Sequence, residues 1–202
     1  MTLSPYHEKY AKKNDGDIAG RAEVKREELK KIFVAVGFVP TGEPVRVAVL
    51  GCGERRFIGH HRRIFGDLLG LAVDLTTFDV AVEHLAGETG VIAHDITVPL
   101  PGGPYDIAYG HVVLKFIPTD RQWDVIKNAY DALRPGGIAI HVCDEEELQA
   151  TTSTLSDGLF AVPIVRWKEA LVAAGMHFAE TNWAVPGPDG APIKGYALIV
   201  QK

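Results

Sequence analysis

The sequence predicts an α/β protein built on a doubly wound, seven-stranded, mostly parallel sheet with helices on both faces. Three observations predict it. From residue 45 onward, short β-branched runs alternate with amphipathic stretches long enough to be crossover helices. The first of those runs ends directly in Gly51-Cys52-Gly53. The last two runs are joined by a short link rich in Pro and Gly, which makes them an antiparallel hairpin.

The elements follow in order. Residues 1–20 read as a polar leader, and residues 21–38 as a helix with Leu29, Ile32, Phe33 and Val36 on one stripe. Together they form an N-terminal segment, 1–40, packed on a Rossmann-like domain, 41–202. Strands are expected at 45–50, 71–75, 91–93, 105–109 and 138–142, and the hairpin at 178–185 and 196–200. Helices are expected at 57–69, 80–85, 119–133 and 167–174. Arg134-Pro135-Gly136-Gly137 stops the third of these.

The bulk numbers narrow the function. A chain of 202 residues is the size of one domain. A net charge of -5 argues against a general partner for nucleic acid or anionic membranes. Two cysteines, Cys52 and Cys143, are too few for a disulfide framework. No apolar run approaches a membrane span, and residues 1–20 lack the pattern of a signal peptide, so a cytoplasmic protein is expected. The eight histidines show no spacing that gathers a metal site.

Glycines between a strand and a helix let backbone approach a ligand at a helix N-terminus. An acid ending the next strand, about twenty residues on, accepts hydrogen bonds from ribose hydroxyls; Asp74 is expected there. Each feature also has a plain structural reading. The glycines suit a tight turn, Asp74 a helix cap before Thr76-Thr77, and Asp95 a turn. Cys52 reads as a small buried filler, and His61 as a half-buried, hydrogen-bonded residue on the apolar side of its helix. Arg55, Arg56, His60, Arg62 and Arg63 form a basic cluster near a helix start, a solvated face or a hint of a nearby anion.

Val47-Ala48-Val49-Leu50-Gly51-Cys52-Gly53 resembles the glycine-rich first motif of the class I S-adenosylmethionine-dependent methyltransferases. Asp74, with Leu75 beside it, matches that family's ribose-binding acid, and His94-Asp95-Ile96 its adenine-edge segment. Asp106-Ile107-Ala108-Tyr109-Gly110-His111 looks like the fourth-strand motif that faces methionine and acceptor. The resemblance implies a strand order of 3-2-1-4-5-7-6 with the last strand reversed. It implies S-adenosylmethionine as cofactor, held by Gly51, Cys52, Gly53, Arg55, Asp74, Leu75, Asp95, Ile96 and Gly110. His111 becomes the catalytic or acceptor-positioning residue. Tyr109, and Tyr6 or Tyr10 from the leader, would line the cleft for a small-molecule acceptor.

One departure stands out. Arg55 occupies the place of the family's third glycine, where it either pairs with the methionine carboxylate or crowds the pocket. The rival expectations are thus a non-catalytic relative with an altered loop, and an NAD-linked oxidoreductase. The terminal hairpin and the absence of Gly-x-Gly-x-x-Gly speak against the latter.

Overall fold

The computed structural model describes residues 12–144, 159–187 and 190–202. Its seven strands are β1 (Val45–Leu50), β2 (Val73–Asp79), β3 (Val91–Ala93), β4 (Tyr105–His111), β5 (Leu133–Asp144), β6 (His177–Pro186) and β7 (Pro192–Gln201). They form one sheet in the order β3-β2-β1-β4-β5-β7-β6. β7 runs antiparallel to both β5 and β6, while the remaining pairings are parallel. The expected topology is therefore the observed one.

Alternation along the central strands feeds two apolar layers. Val47, Val49, Ile107 and Ile140 face α1 (Asp15–Val36) and α2 (Arg56–Leu69), packing with Ile18, Leu29, Ile32, Ile58 and Phe65. Ala48, Leu50, Ala108 and Ala139 face the other way. There Ile126 and Ala129 of α3 (Gln122–Asp131) and Trp167 and Leu171 of α4 (Ile164–Ala173) cover them.

Several boundaries differ from those expected, each for a local reason. α1 begins at Asp15, because Asn14 and Asp17 form a reciprocal cap: the Asn14 side chain accepts from the Asp17 amide at 2.9 Å, and the Asp17 carboxylate accepts from the Asn14 amide at 3.3 Å. β2 continues four residues beyond 75 to Asp79, since Thr76, Thr77 and Phe78 suit a pleated surface and Thr77 is fully buried. Residues 80–85 hold only a single 3-10 turn, Glu83–Leu85. The Arg134–Gly137 segment lies inside β5, where the Gly136 amide donates to the Lys202 carbonyl at 2.6 Å.

At the sheet's N-terminal edge, Arg134 and the Arg46 amide both engage the buried Asp106 carboxylate. Arg46 also reaches the carbonyls of Gly102 and Pro104 and lies 3.7 Å from Asp74.

His141 lies fully buried between β4 and β7, and neither ring nitrogen has a partner among the described residues. Burial lowers its pKa from the ordinary 6.5 to about 4. Between those values the unfolded chain binds a proton that the folded chain does not, so stability falls as pH drops from about 6.5 toward 4. At about 1.4 kcal/mol for each pH unit, this amounts to roughly 3 kcal/mol. Buried His61, lowered for the same reason, adds in the same direction. His141→Leu is expected to flatten this acid-side loss without abolishing it, which thermal unfolding at pH 7, 5.5 and 4.5 will measure.

Candidate active site

At the end of β1 the chain turns left-handed. Gly51 has φ 78°, and a Cβ there would sit 2.9 Å from Val113 Cγ2, so both conformation and space require glycine. The turn is fastened at three points, two on β2 and one on the 3-10 turn that follows it. The Gly51 amide donates to the Phe78 carbonyl at 2.8 Å, and the Cys52 amide donates to Asp79 Oδ2 at 2.8 Å. His84 Nε2 donates to the Cys52 carbonyl at 2.7 Å. The other Asp79 oxygen accepts from the Ala81 amide at 3.0 Å. Each oxygen keeps a second lone pair, so the carboxylate can still accept from a ligand hydroxyl.

Strand order reverses between β1 and β4, and ligands of open α/β sheets bind at such a switch point. A cavity of about 320 Å³ opens there, within the range of small-molecule sites. Gly51, Cys52, Gly53, Asp79, Val80, Asp95 and Ile96 line one part. Val112, Val113, Phe116 and Ile117 form an apolar wall, and Lys25, Phe57, His61, Tyr109 and His111 line the inner end.

Two buried charged residues of α1 reach this inner end. Glu28 accepts from His111 Nε2 at 3.1 Å and from Trp183 Nε1 at 3.2 Å. Burial opposes its ionisation, but the hydrogen bond and charge of His111, then Lys25 and Trp183, outweigh burial and hold the carboxyl below its usual range. Lys25 lies 5.3 Å from the centre of the Phe57 ring. Tyr109 and His61 meet edge to face at 5.7 Å, and burial drives the Tyr109 hydroxyl well above its usual pKa. Next to His111, Val112 adopts φ 58°, a left-handed conformation that a β-branched residue rarely takes. Its amide is held by the Val142 carbonyl at 2.9 Å.

The structure corrects several expected positions. Asp74 lies at the start of β2, opposite Arg46, five residues and about 17 Å of strand from Asp79. It is outside the cavity, and Asp79 occupies the place expected of it. Leu75 is core, buried beside Val47 in the sheet. Gly110 faces the side of β4 opposite to Tyr109 and His111, where a Cβ would meet Val113 Cγ1 at 2.9 Å; it does not line the cavity. Arg55 points away, its guanidinium on Glu88 Oε1 at 3.2 and 3.3 Å, and neither crowds the hollow nor lines it.

Within the basic cluster, Arg56 binds Glu54 and Asp15, and Arg63 contacts His60. His61 is fully buried rather than half-buried, and its nitrogens have no partner among the described residues. Asp95 lines the cavity and also closes a turn, accepting the Thr97 amide at 2.9 Å and hydroxyl at 2.8 Å. Tyr6 and Tyr10 lie outside the described residues.

Sequence reasoning missed Asp79, Lys25 and Glu28. Asp79 closes a β-branched run, and Lys25 and Glu28 share the helical spacing of Leu29 and Ile32, so charges on an apolar stripe were the available signal. Among the described residues no group of three or more His, Cys, Asp or Glu could hold a metal ion, and no helix is long and apolar enough to cross a membrane.

Residues 48–141 match the family model described as a methyltransferase domain. Solved structures share the fold. DesVI of Streptomyces venezuelae is 10% identical with a TM-score of 0.60, over 92% of this chain and 93% of that one. The N-methyltransferase NodS of Bradyrhizobium japonicum WM9, bound to S-adenosylhomocysteine, is 13% identical with a TM-score of 0.55, over 90% and 87%. The 1,6-didemethyltoxoflavin-N1-methyltransferase of Burkholderia thailandensis, holding didemethyltoxoflavin and S-adenosylhomocysteine, is 15% identical with a TM-score of 0.60, over 98% and 86%. No curated protein sequence matches. Domain match and fold together liken the chain to the class I, S-adenosylmethionine-dependent methyltransferases.

Cys52 lines the cavity and is itself buried. Burial pushes its thiol up to about 12; the nearby Asp79 and Glu54 charges add to this, against the Glu54 carbonyl bond and Lys25. With Cys143 fully buried as well, the native protein at pH 8 is expected to release no colour from a disulfide thiol reagent until denaturant exposes both thiols.

Proposed function

We propose that the chain transfers a methyl group from S-adenosylmethionine to a small-molecule acceptor, with the cofactor in the outer part of the cavity and the acceptor at the inner end. Asp79 carries this reading. It is a carboxylate at the switch point, facing a bare glycine turn, with lone pairs left for the two hydroxyls of a ribose. The cavity residues fit the rest of the group. Gly51 and Gly53 leave backbone room for the methionine portion, while Asp95 and Ile96 offer an acceptor and an apolar face to the adenine. Bound there, the cofactor supplies an activated methyl on a sulfonium.

What this chain adds is orientation, dryness and a place for the proton. The apolar wall of Val112, Val113, Phe116 and Ile117 excludes water from the inner end. His111, lining that end and anchored by Glu28, is placed to orient an acceptor. A small acceptor agrees with the cavity volume and with the didemethyltoxoflavin held by the Burkholderia enzyme. The non-catalytic alternative rested on Arg55 blocking the pocket, and Arg55 is engaged with Glu88 instead. Against an NAD-linked oxidoreductase stands the reversed β7 between β5 and β6.

Calorimetric titration with S-adenosylhomocysteine tests the reading directly. Asp79→Ala is expected to weaken binding by about 1–3 kcal/mol, the loss of a buried charged hydrogen-bond partner, whereas Asp74→Ala leaves the Kd unchanged. Equal effects of the two substitutions, or no heat from the parent protein at millimolar ligand, would overturn it.

A further inference from the structure

The sheet ends at β6, a strand of 10 residues with no neighbour on its outer side among the described residues. The direction of its free backbone groups follows from the hairpin. The Gly187 amide donates to the Ala191 carbonyl at 2.8 Å, and the next pair, Pro186 and Pro192, has no amide to exchange. Antiparallel pairs alternate between bonded and non-bonded, so Val185, Trp183, Thr181 and Ala179 bond inward to β7. Ala184, Asn182, Glu180 and Phe178 therefore turn their amides and carbonyls outward.

A free edge of this length is a template for another strand. Proteins blunt such edges with a bulge, an internal proline or lysine, or a very short strand. The opposite edge of the sheet, β3, is only 3 residues long. β6 has none of these devices. Its register with β7 runs unbroken from His177 to Pro186, and proline comes only at the last position. Its single carboxylate, Glu180, is held in place, accepting from Lys168 Nζ of α4 at 3.1 Å and from the Tyr196 hydroxyl at 2.8 Å.

α4 adds a second observation. Val165 and Val172 lie one turn to either side of Lys168, on the flank of the helix that reaches β6. They are 62% and 68% exposed. Bare apolar side chains thus stand beside a bare backbone edge.

We propose that β6 is a dimer interface, pairing antiparallel with β6 of a second copy of this chain about a two-fold axis at Thr181. The occupant is a second copy because the strand is complementary to itself in this register. Glu180 faces Asn182 of the partner subunit, and Phe178 faces Ala184 of the partner subunit. Asn182 is uncharged, and its side-chain NH₂ can donate to the facing carboxylate. The pairing exchanges roughly eight hydrogen bonds, two for each facing pair. Sliding the axis to Glu180 would oppose two carboxylates, which destabilises a sheet. Sliding it to Asn182 would set Phe178 against Pro186, which has no N–H to give. An axis normal to the sheet keeps each face on its own side, so the two α4 helices come alongside and cover Val165 and Val172. The two sheets become one, and its remaining edges are the short β3 strands.

Sedimentation equilibrium of the full chain at micromolar concentrations tests the pairing, with the parent expected at twice the chain mass. Asn182→Pro removes an outward amide, a place where edge strands accept proline. It should raise the dimer dissociation constant about 10- to 100-fold while cooperative thermal unfolding is kept. Val165→Glu combined with Val172→Glu leaves β6 untouched and should act in the same direction, by gathering like charges at the axis. Thr181→Cys reads the register. A non-bonded antiparallel pair brings its two Cα atoms within disulfide reach, so mild oxidation should link two Thr181→Cys chains but not two Glu180→Cys chains. Cys52 and Cys143 are buried and do not compete.

Neither cofactor nor acceptor enters these readouts. A parent that sediments as a monomer throughout would overturn the proposal, and slow exchange of the Glu180 and Asn182 amides in that monomer would assign the edge to a segment of the same chain. A dimer that survives both sets of substitutions would place the interface elsewhere. Linkage through residue 180 instead of 181 would overturn the register.

Discussion

The cavity depends on one carboxylate holding a turn that has no side chain of its own to hold it. Gly51 supplies the left-handed bend, but a bare glycine loop would be free to wander. Asp79 restrains it by accepting the next amide, and with its second oxygen it secures the chain leaving β2. The two strand ends at the switch point are therefore one unit, and the same group that builds the hollow faces into it. Removing the carboxylate would leave a nearly buried amide without its partner, a loss felt before any ligand arrives.

A second constraint comes from α1, which does more than cover the sheet. Its apolar stripe supplies Ile18, Leu29 and Ile32 to the core, and the same buried face carries Lys25 and Glu28 to the inner end of the cavity. Buried charges on a helix are tolerated when paired and hydrogen-bonded. Glu28 meets that condition through partners on β4 and β6, elements distant in sequence. The helix, the central sheet and the terminal hairpin are thereby joined at one carboxylate within a largely apolar layer.

The pattern of strands and helices was legible because each element carries its own periodicity, and Gly51-Cys52-Gly53 declares a turn without help from the rest of the chain. The acid was misplaced because Thr76-Thr77 resembles a helix start as readily as a strand, and only burial within the sheet decides between them. Arg55 could not be placed from its neighbours, since its direction is set by Glu88, thirty-three residues away. Glu28 is the harder case. A lone acid on a buried stripe reads locally as a flaw, and its meaning comes from a histidine 83 residues on and an indole 155 residues on.

The left-handed Val112 bears on thermal adaptation. A branched residue in that conformation costs about 1–3 kcal/mol, a sizeable share of the 5–15 kcal/mol by which a domain of ordinary stability stays folded. Asparagine or glycine would relax it, so this one position offers an accessible route to a more heat-resistant chain. It also directs the backbone just after His111, and slack gained there would be passed to the imidazole. A lineage moving to hotter surroundings would thus face a choice at residue 112 between endurance and aim.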